Sequence, residues 1–181
     1  MTELISPYIA ALKKIDWQDI NLFQDSSDIS LSWLLEKGSL SRRLEEKCED
    51  LTVNVSVNEM ISSAQMCLEE KNLLGNSSCL LREVVLFGDA QAWLIGRTLI
   101  PENSLDEQPC DLQKQGNTPL GLTVFSVESV RRDALQFGWV TVANQQLVAR
   151  RSRLWMNNKP MLVAELFLPG SPVYLKEVEV K

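Results

Sequence analysis

The chain contains no histidine. That absence excludes Ser-His-Asp and Cys-His nucleophilic centres and histidine-based general acids, so any proton transfer must use Glu, Asp, Lys, Tyr, Cys or water. It also leaves no imidazole to complete a zinc site with Cys48, Cys67, Cys79 and Cys110, which show no CxxC spacing. Reduced thiols in a cytoplasmic protein are the expected state. Positive charge is scarce as well: 18 Lys and Arg against 24 Asp and Glu give a formal net charge of −6, which argues against a nucleic-acid partner. A small anionic substrate is still allowed, because local cations matter there more than the total. No apolar run approaches the ~20 residues that span a bilayer, and Met1-Thr-Glu-Leu-Ile-Ser-Pro lacks a basic segment followed by an apolar core. Neither membrane insertion nor secretion is expected.

What is present describes a globular protein. With 181 residues, 45% hydrophobic and 23% charged, the chain fits one domain over 1–181 whose core needs no disulfide or metal. Nothing in it demands a second subunit, so a monomer is expected. Ile5, Ile9 and Leu12 predict a helix over 5–14, followed by an acidic loop over 15–27. A second helix is predicted over 30–37, stopped by Gly38, and a third over 40–48, capped by Ser39 with Leu40, Leu44 and Cys48 facing inward. Leu51 to Asn58 alternates apolar and polar residues, as a strand with one wet face does. Met60 to Leu68 allows a further helix, and 75–78 is a loop.

Strands dominate the remainder. Leu80–Phe87 and Ala92–Ile100 form a hairpin around Gly88-Asp89, ended by Pro101. Residues 102–111 read as a surface loop and 112–121 as a short helix with a tight loop. Thr123–Val130 and Trp139–Arg153 are strand candidates, interrupted by Arg131 to Ala134. A last hairpin spans 150–169 around Asn157-Asn-Lys-Pro160. The predicted fold class is α+β, a single mainly antiparallel sheet with helices on one side.

Two of these strands carry an ion inward. In Met161 to Leu168, Glu165 shares a face with Val163 and Phe167, while in the upstream hairpin Arg82 points the same way as Leu80, Val84 and Leu86. A carboxylate enclosed by apolar neighbours must take up a proton or find a cation or donors. Arg82 is one candidate partner, and the pair suggests a small polar site walled by a sheet. Arg151 or Arg153, across Glu165's own hairpin, would serve equally well. Arg97 shares a face with Trp93, Ile95 and Leu99, which favours a structural or gating role. The cluster Arg150, Arg151, Arg153 and Lys159 could draw in a dianion, but a solvated strand face is the preferred reading.

Three segments in order carry a resemblance. Leu81-Arg-Glu-Val-Val-Leu with Trp93-Leu-Ile-Gly-Arg-Thr-Leu-Ile-Pro101, then Leu112-Gln-Lys-Gln-Gly-Asn-Thr-Pro-Leu-Gly121, then Arg150-Arg-Ser-Arg-Leu with Lys159-Pro-Met-Leu-Val-Ala-Glu-Leu-Phe-Leu-Pro-Gly-Ser-Pro172 resemble the chorismate pyruvate-lyases. The similarity covers most of 80–174 and upstream is confined to Trp33-Leu-Leu and Ser39-Leu-Ser-Arg-Arg. It implies a cofactor-free enzyme, without metal, that splits chorismate into 4-hydroxybenzoate and pyruvate for ubiquinone biosynthesis. It also implies a buried site covered by loops. The family's ring-carboxylate arginine falls on Arg82, its buried glutamate on Glu165 and its apolar loop contact on Leu120. A fourth contact, typically methionine, falls on Leu40, a change of shape more than of chemistry.

The resemblance thus makes Glu165 and Arg82 the expected catalytic pair, with Leu40 and Leu120 packing on the ring. Glu165 can act as acid, base or hydrogen-bond partner, and the sequence does not choose. A rival reading is a non-catalytic effector-binding domain of the same fold. Such domains normally follow a basic DNA-reading helix, and the ~80 residues before the sheet are acidic and lack one.

Overall fold

The computed structural model describes residues 2–24 and 29–175. Its seven strands are, in chain order, β1 (Gln18–Asp19), β2 (Leu51–Ile61), β3 (Cys79–Gly88), β4 (Gln91–Pro101), β5 (Arg131–Val142), β6 (Gln145–Met156) and β7 (Lys159–Phe167). Three tight turns organise them. Asp89-Ala90, Ala143-Asn144 and Asn157-Asn158 each hold two successive residues at φ between 48° and 66°. That backbone reverses a strand in two residues with the twist that antiparallel pairs favour. The sheet order is β1-β5-β6-β7-β4-β3-β2, and every neighbouring pair is antiparallel.

Six short α-helices, α1 (Thr2–Leu12), α2 (Leu31–Leu34), α3 (Leu40–Glu45), α4 (Leu68–Leu74), α5 (Glu102–Leu105) and α6 (Leu120–Val124), join the sheet. They cover both of its faces, not one. On the front face Trp33, Leu34, Leu40 and Leu44 from α2 and α3 pack on Leu86, Leu94 and Phe167. Val124 of α6 joins Leu154 and Met161 there. On the back, Leu12 of α1 packs on Val85, Ile95 and Leu166, and Leu74 of α4 on Leu81, Leu99 and Leu162. Strand alternation makes this possible, because β3, β4 and β7 are apolar at nearly every position and therefore have two faces to bury.

Several sequence expectations change. The upstream hairpin and the 150–169 hairpin form as expected, and Ser39 caps α3 by accepting from the Arg42 amide at 3.2 Å. The helix expected over 30–37 stops at Leu34, before Gly38, and the loop over 15–27 contains β1; its residues 25–27 lie outside the described residues. Met60 and Ile61 end β2 instead of starting a helix, which forms later as α4. The expected loop over 102–111 opens with the α5 turn.

The largest correction lies in 123–153. Thr123 to Val130 is no strand: α6 ends there in turns. Arg131 to Ala134 is not an interruption but the start of β5, where a bulge between Asp133 and Gln136 places Ala134 at φ 48°. The single strand expected over 139–153 is folded in two at Ala143-Asn144. Neither residue is a glycine, so the turn signal was weak in the sequence. Two further bulges reassign faces: one between Val55 and Val57 sends Val57 to the back, and one beside Leu86 and Phe87 turns Trp93 into the front cluster. Gly88 sits against the Trp93 ring, which an added Cβ would meet at 2.2 Å.

Candidate active site

Cross-strand register assembles the front face row by row. One row reads Arg82 (β3), Thr98 (β4), Val163 (β7) and Ser152 (β6); the next reads Val84, Gly96, Glu165, Arg150 and Phe137. Gly96 lies between Val84 and Glu165 and has no side chain to fill the space above it. A Cβ there would come within 3.2 Å of Val84. The gap opens into a cavity lined among others by Val84, Leu86, Gly96, Thr98, Val163 and Glu165 from the sheet. Its walls are mainly apolar, with Thr98 and Glu165 as the polar side chains from these central strands, the composition expected of a small-molecule site.

Two segments roof it. Leu40 and Ser41 come from α3, and Pro119, Leu120, Gly121 and Val124 from α6 and the residue before it. They meet closely, since a Cβ on Gly121 would lie 3.1 Å from the hydroxyls of both Ser39 and Ser41. Leu40 and Leu120, expected as ring contacts, therefore stand on the two halves of the roof.

Glu165 lies inside, but its partner is neither Arg151 nor Arg153. Arg150, fully buried at 0% exposure, donates from Nε to Glu165 Oε2 at 2.5 Å and from Nη1 to the Glu36 carbonyl at 3.0 Å. Its Nη2 has no partner. Arg150 is no part of a solvated face: alternation sends it to the front while Arg151 and Arg153 go to the back. The signal was available. Seven residues before Asn157 and seven after Asn158 fall Arg150 and Glu165, so a two-residue turn there makes them direct partners.

Arg82 stands at the edge of the cavity, beside its lining neighbours Val84 and Thr98. It is 2% exposed, and its Nη2 donates to the carbonyls of Gly116 at 2.7 Å and Thr118 at 3.2 Å, in the loop that leads into α6. Its Nε and Nη1 are buried without partners, and burial lowers its pKa from the ordinary arginine value. Arg82 and Glu165 do not touch. They lie two strands apart and one row over, roughly 12 Å between backbones by strand geometry, which leaves room for a ligand between inward-pointing side chains.

One lining residue escaped the sequence reading. Arg132 of β5 donates from Nη1 to Ser152 Oγ and from Nη2 to the Gly38 carbonyl at 3.2 Å, while its Nε is buried and unpartnered. Its inward placement depends on β5, whose start at Arg131 no pattern in the sequence marks.

The remaining expected cations lie elsewhere. Arg97 is on the back face, bonded to Glu70 and 3.5 Å from Glu83, a structural placement away from the cavity. Arg151, 5% exposed, pairs with Gln136 and Glu69 over the Trp17 ring, and Arg153 grips Asp133 at 2.8 and 2.9 Å. Neither is a solvated charge. Lys159 donates to the Asp106 carbonyl at 2.5 Å near the surface.

A seven-stranded antiparallel sheet with helices on both faces, roofing an apolar cavity that holds a buried ion pair, defines a fold of the α+β class. Solved structures with this fold include the effector domain of PhnF from Mycobacterium smegmatis, with a TM-score of 0.52 at 11% identity over 75% of this chain and 91% of that one. A ligand-binding domain assigned to a GntR-family regulator from Bordetella bronchiseptica gives 0.53 at 14% identity over 71% and 89%. At such identities the likeness is one of fold alone.

Sequence similarity is more specific. The family model described as chorismate lyase matches residues 11–179. A "Probable chorismate pyruvate-lyase" of Aliivibrio fischeri is 52% identical over 99% of both chains, and one of Vibrio cholerae 50% identical over 98% of this chain and 99% of that one. A "Chorismate pyruvate-lyase" of Pectobacterium carotovorum is 42% identical over 78% of each. The chain belongs to the chorismate lyase family.

Proposed function

We propose that the chain is a chorismate pyruvate-lyase that works in the front-face cavity without a cofactor. The observation that carries this reading is Glu165, set among apolar walls with one oxygen held by Arg150, while Arg82 presents two unpartnered N–H groups at the cavity's edge.

The chemistry asks little else of the protein. Chorismate loses its C4 hydrogen and its C3 enolpyruvyl ether, the ring becomes aromatic, and the departing enolpyruvate gains a proton to become pyruvate. Aromatisation supplies the driving force, so the protein must orient a dianion, exclude water and manage one proton. Arg82 holds the ring carboxylate, because a planar guanidinium offers two parallel donors to it. Leu40 and Leu120 lie against the ring and keep the site dry. Glu165 stands at the C3–C4 end, where Oε2 is already committed to Arg150 and Oε1 takes no hydrogen bond among the described residues. That arrangement favours acceptance of the C4 proton or of the C4 hydroxyl's hydrogen bond over donation.

Family membership ranks this reading above ligand binding without turnover, which the shared fold alone would allow. The product, 4-hydroxybenzoate, supplies the ring of ubiquinone. Among the described residues no helix is long and apolar enough to cross a membrane. The enzyme is a cytoplasmic monomer in this reading.

Incubating pure protein with chorismate in EDTA, and following pyruvate and 4-hydroxybenzoate, tests it. Equal amounts of both are expected; binding without release of pyruvate contradicts it. Glu165→Gln keeps the shape and removes the proton acceptor, so kcat should fall by roughly 100-fold or more. An unchanged kcat would assign Glu165 to orientation alone.

A further inference from the structure

The buried front face carries more positive than negative charge. Arg82, Arg150 and Arg132 converge there, and Glu165 neutralises only Arg150 by direct contact. Arg82 and Arg132 have no carboxylate within ion-pair distance among the described residues. Each ties one half of the roof to the sheet through a backbone carbonyl, Arg82 at Gly116 and Thr118, Arg132 at Gly38. Each also keeps a buried Nε without a partner. Leaving such donors unmet is costly unless a ligand meets them.

Their placement is complementary. In the sheet order Arg82 on β3 and Arg132 on β5 are four strands apart, roughly 19 Å between backbones, with Glu165 on β7 midway between them. A ligand that reaches both is one with an anion at each end and its reacting centre near the middle. Arg132 lines the cavity next to Phe125, and burial, reinforced by Arg150, pushes its pKa down to about 10. A second anion there would relieve that cost.

We propose that Arg132 is a specificity-determining residue that recognises the enolpyruvyl carboxylate, so that the site tells its dianionic substrate from its monoanionic aromatic product. The inference rests on the lyase reading and extends it. Substrate engages both outer arginines and product engages only Arg82. Elimination therefore removes the anion that Arg132 binds, and the Arg132 tie to Gly38 is then the only interaction holding its Nη2.

The test is a comparison of two ligands on two proteins. Dissociation constants are measured for 4-hydroxybenzoate, with one carboxylate, and for 3-(carboxymethoxy)benzoate, with a second on the ether arm, using wild type and Arg132→Gln. The variant should lose roughly 10- to 100-fold affinity for the dianion and change by less than about threefold for the monoanion. Arg132→Lys should recover part of the loss, and it carries the same comparison if the glutamine variant does not fold. Equal weakening of both ligands would show a merely structural arginine, and undiminished affinity for the dianion would show no contact; either result overturns the proposal. The comparison needs no turnover, so a wild type that fails to release pyruvate counts against the lyase reading and not against this assignment.

Discussion

Arg82 and Arg150 are both nearly sealed from solvent, yet their partners differ, and substitution separates their tasks. Arg150 is balanced within the protein by Glu165 and backbone carbonyls. Arg150→Ala strands a buried carboxylate and should cost about 3–5 kcal/mol of stability, read from urea unfolding. A loss below about 1 kcal/mol would mean that the pair is not buried as described. Arg82 is left with two unmatched nitrogens, so Arg82→Ala should act on substrate: KM should rise by an amount corresponding to about 2–5 kcal/mol, and a near wild-type KM would remove the clamp. The inward placement of Glu165 and Arg82 is legible in the sequence, because an ion in an apolar strand is conspicuous by parity alone. Arg150 is harder to read, because it sits in a run of basic residues where only register separates the front-face charge from its back-face neighbours. Arg132 is not legible, because the face of a residue cannot be read before its strand is known.

At the scale of elements, legibility followed the strength of the turn. The hairpin at Asn157-Asn158 announced itself through residues that tolerate positive φ, whereas Ala143-Asn144 adopts the same backbone with an alanine, and two strands were read as one. Bulges were invisible for a similar reason: one extra residue at Ser56 or Ala134 shifts every later side chain without changing composition. The roof is where element geometry meets function. α3 and α6 touch through Gly121 against Ser39 and Ser41, with no slack for a methyl group. Gly121→Ala should part these segments by a few tenths of an ångström. Alanine favours the helix, so stability should change by less than about 1–2 kcal/mol while 4-hydroxybenzoate dissociates severalfold faster in stopped-flow measurements. An unchanged dissociation rate would mean that product leaves by another route.

On the scale of the molecule, the sheet divides labour between its faces. The back holds Arg97, Arg151 and Arg153 under α1 and α4, each within ion-pair distance of a carboxylate of the protein. The front leaves Arg82 and Arg132 with unmet donors around an apolar cavity. Helices on both sides follow from strands apolar at nearly every position, a feature legible in the sequence but read there as a one-sided packing. The most direct test of this division is a crystal structure with 4-hydroxybenzoate bound. The ring should lie between Leu40 and Leu120, with its carboxylate on Nε and Nη1 of Arg82 and its hydroxyl toward Glu165. A ligand bound outside the front cavity, or with its carboxylate directed away from Arg82, would contradict the account.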